Sequence, residues 1–149
     1  MITPRVATGT ALRNAMGCIL LIRRGRDAIN GACQWSVPGG KLDPMETLAF
    51  GAAREVLEEV GVEARVQSLG VVTEDAHWGA DLHFVTHYHQ AVSWTGEPRI
   101  MEPHKHDGLE WIHEDDLVEI AEDGARKGFE LFPPTRDFIL FGGLDRLMK

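Results

Sequence analysis

Cysteine is scarce in this chain. Two residues, Cys18 and Cys33, occur among 149, so a disulfide-stapled scaffold is excluded and no C-x-x-C pair marks a zinc or redox centre. Both are expected to be small thiols, buried or half-buried. A basic excess is also missing: 15 Lys and Arg against 23 Asp and Glu leave a net charge of −8, which argues against an extended nucleic-acid track. Long apolar runs are absent near the N-terminus, where the longest, residues 18–22, is far too short to cross a bilayer. Residues 1–10 do not show the basic and apolar regions of a secretory signal, so a reducing cytoplasm is the expected setting. No repeat, low-complexity tract or linker divides the sequence, which predicts one domain over residues 1–149. With 44 % apolar residues, that domain has the material for a real core. An acidic chain can still bind a polyphosphate when a divalent metal supplies the positive charge locally.

Strands and helices alternate irregularly. Residues 6–12 and 18–23 read as strands around a turn at Arg13, Asn14 and Ala15, and residues 35–37 as a short extended piece ended by Pro38, Gly39 and Gly40. Residues 47–60 form the firmest helix, with Gly61 placed to close it in the left-handed region. Residues 66–73, 82–92 and 109–112 are further strands, the second alternating Leu82, Phe84, Thr86 and Tyr88 with His83, Val85, His87 and His89. A helix starts within residues 114–119, and another covers 135–141 after a break at Pro133 and Pro134. The fold class that follows is α+β or α/β, a mixed sheet flanked by helices.

The helix over 47–60 carries the chemistry. With Glu55 at zero on a wheel advancing about 100° per residue, Glu58 falls near about −60° and Glu59 near about +40°. The three carboxylates share one face. Ala49, Phe50, Ala53, Val56, Leu57 and Val60 gather opposite and are expected to dock the helix, leaving the carboxylates outward. Gly51 sits on the carboxylate side at a cost of roughly 1 kcal/mol against alanine; close approach of a ligand and simple tolerance both account for it. Clustered carboxylates raise one another's pKa unless something positive lies among them, and hard oxygen ligands at this density suit Mg²⁺ or Mn²⁺. Arg54, one turn before Glu58, can hold that carboxylate with its planar fork. Taken alone, the three glutamates fit a solvated helix face better than a metal site.

Their surroundings point the other way. From Gly40 the chain reads GKLDPMETLAFGAAREVLEEVGV, which resembles the Nudix box at Gly40, Glu46, Arg54, Glu55, Val56, Glu58, Glu59, Gly61 and Val62 without a departure. A chance match in a chain of this length is on the order of one in ten million. The resemblance implies an α/β/α sandwich with a catalytic loop-helix-loop. It implies Mg²⁺ or Mn²⁺ held by Glu55, Glu58, Glu59 and the backbone carbonyl of Gly39. It further implies that Glu55 serves the attacking water, that Arg54 braces Glu58 and that Glu46 stabilises the loop. The reaction implied is hydrolysis of a nucleotide pyrophosphate bond by attack of water at phosphorus.

Outside the box, EPHKHDGLEW at 102–111 and DLHFVTHYHQ at 81–90 resemble the purine nucleoside triphosphate hydrolysing members. That likeness implies (d)NTPs, oxidised purines included, as substrates, and a homodimer. Arg23 and Arg24 end a strand ahead of the box and read equally as phosphate or ribose ligands and as a snorkelling surface pair. Gly40 and Phe132 are further substrate-side candidates, the latter either a wall for the base or a core residue. Glu102, Asp107 and Glu110 supply a late metal ligand or base, or are surface carboxylates. His87 and His89 have the spacing of a zinc grip, but without a third ligand they read as solvated or substrate-facing. Two competing functions share the fold. One is cleavage of ADP-ribose, an NDP-sugar or a dinucleoside polyphosphate; the ADP-ribose variant often carries a proline about fifteen residues after the box, and no proline lies between Val62 and Pro98. The other is a non-enzymatic nucleotide-sensing module, which an intact box disfavours. RNA decapping fits the chemistry, with the acidic balance against it.

Overall fold

The computed structural model describes residues 3–123, 126 and 128–148. Seven strands and three helices follow one another as β1 (Arg5–Ala11), β2 (Cys18–Arg24), β3 (Trp35–Ser36), β4 (Gly39–Lys41), α1 (Leu48–Val60), β5 (Glu63–His77), β6 (Leu82–Thr95), β7 (His106–His113), α2 (Glu114–Asp123) and α3 (Pro133–Leu140). The strands form two sheets rather than the one expected. A four-stranded mixed sheet has the order β4-β1-β6-β5, and a three-stranded sheet the order β3-β2-β7. Strand β1 runs parallel to β6 and antiparallel to β4, whereas β2 is antiparallel to both its neighbours. Beyond β1 the chain closes a short hairpin, in which Asn14 N donates to the Cys18 carbonyl and Leu20 N to the Leu12 carbonyl, and through it passes from one sheet to the other.

Helix α1 packs beside the mixed sheet and the second sheet through Val56 and Val60, which share a core with Val62, Leu12, Leu20, Ile22 and Ala91. A second core on the far side joins Ile19, Leu21, Trp35, Tyr88, Leu117 and Phe138. Strand β2 thus buries both faces, Ile19 and Leu21 in one core and Leu20 and Ile22 in the other, which explains its continuous apolar run. At the start of α1 the Thr47 hydroxyl accepts from Phe50 N at 3.2 Å, satisfying one of the unpaired N-terminal donors. Gly61 ends it at φ 75°, in the left-handed region, where glycine has no Cβ penalty.

Several expectations change. The segment 39–41 is not merely the end of an extended piece; Gly39 and Gly40 pair with Gly9 and Thr8. Pro133 and Pro134 do not break the chain before α3 but begin it, since proline's missing N–H is unneeded in a first turn. Strands β5 and β6 run longer than their apolar alternation shows, because they pair with each other from Glu63 opposite Thr95 to His77 opposite Leu82. Cys33 is exposed, not half-buried.

The largest correction concerns the face that α1 buries. Phe50 is 65 % and Leu57 45 % exposed, whereas Glu59 is 7 % exposed. The buried set is Gly51, Ala52, Val56, Glu59 and Val60. The wheel located the carboxylates on one side correctly, but the helix turns part of that side inward because the Gly39–Lys41 strand and the 102–106 turn pack over it.

Candidate active site

The loop before α1 and the helix itself are tied together by Arg54. Its Nε and Nη2 donate to Glu46 Oε2 and Oε1 at 2.6 and 2.8 Å, a two-pronged bond. Nη1 donates to Glu55 Oε1 at 3.0 Å and Glu58 Oε2 at 3.2 Å, and Nη2 also reaches the carbonyl of Lys41 at 3.2 Å. The expected contact with Glu58 exists, but the principal partner is Glu46. Glu46 in turn accepts from Asp43 N at 2.7 Å, closing the loop. The guanidinium beside it holds the Glu46 carboxyl down at about 2, and that carboxylate raises Arg54 above its ordinary value. Gly51 is also explained: a Cβ there would lie 2.5 Å from Leu42 Cδ1 and 3.2 Å from Glu46 Oε1. The close approach is by the loop, not by a ligand.

Glu59 is fastened from the opposite direction. Gly39 N donates to its Oε1 at 2.6 Å, and His106 Nε2 stands 3.2 Å from its Oε2. Glu55 lies between Glu59 and Arg54. Burial first, and the charge of Glu59 second, push its carboxyl up to about 7 against the opposing pull of Arg54. A side chain at Gly40 would place its Cβ 2.7 Å from the Glu55 carboxylate, so this glycine keeps open the space Glu55 occupies. Glu58 is half exposed, at 51 %. The donor set fits a hard divalent cation, because Glu55 and Glu59 both lie inward and Arg54 bonds only the first of them, which leaves negative charge that oxygen-loving metals neutralise.

The box carboxylates are not the tightest cluster. Among the described residues, three potential ligand atoms lie within 4.8 Å of one another on Glu59, Glu102 and His106. His106 is the residue sequence reasoning overlooked, and Glu102 was one of three late carboxylates with no ground for choosing among them. The backbone of Lys105 and His106 donates to the Glu102 carbonyl at 2.8 and 3.0 Å, a tight turn that pattern reading cannot see from composition.

On the substrate side, Arg24 and Arg23 separate. Arg23 Nε sits 3.6 Å from Asp107 in an exposed pair. Arg24 stacks its guanidinium 4.4 Å above the Phe132 ring and donates from Nε to the Asn30 carbonyl at 2.8 Å. Burial lowers its pKa, while Glu59 and then Asp75 oppose that shift, so the cation faces the acidic site. Phe132 is therefore a platform for Arg24. His89 is buried rather than solvated, and its Nδ1 has no partner among the described residues.

The architecture and the carboxylate cluster together define a Nudix hydrolase domain. A family model for the NUDIX domain matches residues 3–132, and the chain belongs to that family. A MutT Nudix hydrolase from Burkholderia pseudomallei is 36 % identical, with a TM-score of 0.70 over 76 % of this chain and 85 % of that one. The MutT protein of Methanosarcina mazei Go1 superposes more broadly, with a TM-score of 0.78 over 96 % and 94 % of the two chains, at 23 % identity, and supports the fold alone. Phosphatase NudJ of Escherichia coli K12 is 37 % identical over 67 residues, 45 % of this chain; the match spans 41 % of that relative's length. No helix among the described residues is long and apolar enough to cross a membrane.

Proposed function

We propose that the protein hydrolyses nucleoside triphosphates, purine (d)NTPs and their oxidised forms foremost, to the monophosphate and pyrophosphate in a reducing cytoplasm. The observation that carries the triphosphate reading is Arg24. Its guanidinium is set on Phe132 beside the carboxylate cluster, and among the described residues only its Nε is hydrogen-bonded within the protein. The two Nη groups are left to meet phosphate oxygens, which a guanidinium fork binds well. Arg23, engaged with Asp107 on the surface, serves less directly.

Glu55, Glu58 and Glu59, with the Gly39 carbonyl, would hold Mg²⁺ or Mn²⁺. Bound metal neutralises the phosphate oxygens and acidifies a water. The protein's own groups do the rest. Arg54 orients Glu55 and Glu58 through its fork, and Gly39 N–H fixes Glu59. Glu55 takes the proton of the attacking water as the new P–O bond forms and the bridging P–O bond breaks. Pyrophosphate leaves with the electrons of the broken bond.

Ranking canonical and 8-oxo nucleotides, ADP-ribose, NDP-sugars and dinucleoside polyphosphates by kcat/KM, with products separated, tests this reading. Triphosphates are expected to lead. ADP-ribose or a dinucleoside polyphosphate ahead by tenfold would leave only the hydrolase class standing. Arg24→Ala should raise KM for the triphosphate by about tenfold, the size of one lost charged hydrogen bond, and leave KM for ADP-ribose little changed. The resemblance to purine nucleotide members further supports a homodimer. Sedimentation equilibrium at micromolar concentrations should show twice 16.5 kDa; a monomer throughout would reject it.

A further inference from the structure

We propose that His106 supplies a ring nitrogen to a divalent-cation site formed with Glu59 and Glu102, and that this nitrogen makes the site favour Mn²⁺ over Mg²⁺. The inference rests on the reading that the acidic site holds a divalent cation. It begins with an irregularity in the three-stranded sheet. Arg23 pairs with Gly108, but Arg24 pairs with His106, so the ladder slips past Asp107 at a bulge. Partners across an antiparallel ladder point to the same face. The slip therefore places the His106 side chain beside that of Arg24, on the side towards α1, and leaves Asp107 for Arg23 at the surface. Bulges of this kind re-aim side chains next to functional sites.

The neighbouring turn does the same for Glu102. Two backbone bonds onto its carbonyl, from Lys105 and His106, fold residues 102–106 back on themselves. Met101 N also bonds to the Glu59 carbonyl at 3.2 Å, which straps this segment to the end of α1. As a result Glu59, Glu102 and His106 each present one ligand atom within 4.8 Å of the others. Octahedral bonds of about 2.1–2.2 Å place ligands about 3.0 Å apart when adjacent and about 4.4 Å apart when opposite. The 3.2 Å separation of His106 Nε2 and Glu59 Oε2 matches two adjacent positions, and the whole group needs only a small contraction.

His106 is placed to give that nitrogen. Its side chain is 6 % exposed, and Nε2, the ring nitrogen turned towards Glu59, has no other polar side-chain contact among the described residues. Nδ1, the ring's other nitrogen, is buried without a partner among those residues and is not the atom offered to the cation. Glu102 is less committed, since its Oε2 is 3.3 Å from the exposed Lys105 Nζ, a pair that solvent weakens. One imidazole with two carboxylates is a mixed nitrogen and oxygen set. Mg²⁺ gains little from nitrogen and parts reluctantly with its waters, whereas first-row transition ions bind imidazole well, Mn²⁺ least strongly among them.

The test uses the full chain loaded with Mn²⁺ and no nucleotide, read by pulsed electron paramagnetic resonance for nitrogen coupling and by titration for affinity. The wild type should show ¹⁴N modulation from a directly bound imidazole. In His106→Gln that signal should vanish and Mn²⁺ affinity fall by about tenfold or more, with Mg²⁺ affinity changing less. Bound Mn²⁺ without ¹⁴N coupling in the wild type would overturn the proposal and leave His106 as a hydrogen-bond donor to Glu59. Failure of the wild type to bind Mn²⁺ at all would instead overturn the divalent-cation reading. Should His106→Gln fail to fold by circular dichroism, the wild-type spectrum alone decides.

Discussion

The two halves of the site are built in opposite ways. The box region, from Gly39 to Val62, is held by partners close in sequence: Arg54 reaches Glu46, Glu55, Glu58 and the Lys41 carbonyl, none more than 13 residues away. The late region draws its parts from afar. Arg24 on β2 rests on Phe132, and His106 at the start of β7 meets Glu59 on α1. A loop-helix-loop whose charges satisfy one another can be written as a motif. A group of side chains assembled from a strand end, a bulge and a residue before α3 leaves no fixed spacing. On the function proposed above, reaction class resides in the first half and selectivity in the second.

Substitution within the box should therefore have the larger effect on turnover. Glu59→Gln removes charge while keeping the shape that Gly39 N–H and His106 contact. It is expected to cost at least about two orders of magnitude in kcat with folding retained, and chelation by EDTA should abolish activity. Normal turnover in either case would show that the box does not carry the reaction.

Arg54→Lys separates geometry from charge. Lysine keeps the charge but cannot bond Glu46 with two prongs while also reaching Glu55 and Glu58. Activity is expected to fall by about tenfold or more, with a melting temperature lower than wild type. If lysine matches wild type while Arg54→Ala does not, electrostatics alone suffices and the local network is not what distinguishes the box.

The smallest effect is on stability without metal. Glu55 has a folded-state value of about 7 against an ordinary 4.5, so the folded chain retains a proton that the unfolded chain has released between those values. Folding stability therefore declines as pH rises from about 4.5 to about 7, and the full penalty is present at pH 8. In chelator at pH 8, Glu55→Gln should be more stable than wild type by about 1–2 kcal/mol. The advantage should disappear below about pH 4.5, where both states are protonated. Denaturant titrations at the two pH values check it, and an unchanged or lowered midpoint at pH 8 would mean that Glu55 is not strained by its neighbours.

Local sequence is enough to specify the helix α1, its Thr47 and Gly61 ends, the sharing of one side by Glu55, Glu58 and Glu59, and the contact of Arg54 with Glu58, though not the two-pronged bond to Glu46. Each depends on helical periodicity or on chain neighbours, which spacing encodes directly. Which side of α1 is buried depends on long-range packing: apolar Phe50 and Leu57 stay at the surface because β4 and the 102–106 turn cover the side bearing Glu59. The two sheets, the turning of Arg24 rather than Arg23 towards the α1 side and the placing of His106 beside Glu59 depend on it too. Strand partners and a one-residue slip in register are long-range choices, and in a strand such a slip moves a side chain from one face to the other. No residue of EPHKHDGLEW signals by itself that His106 and not Asp107 turns towards the helix; the pairing of β7 with β2 settles that.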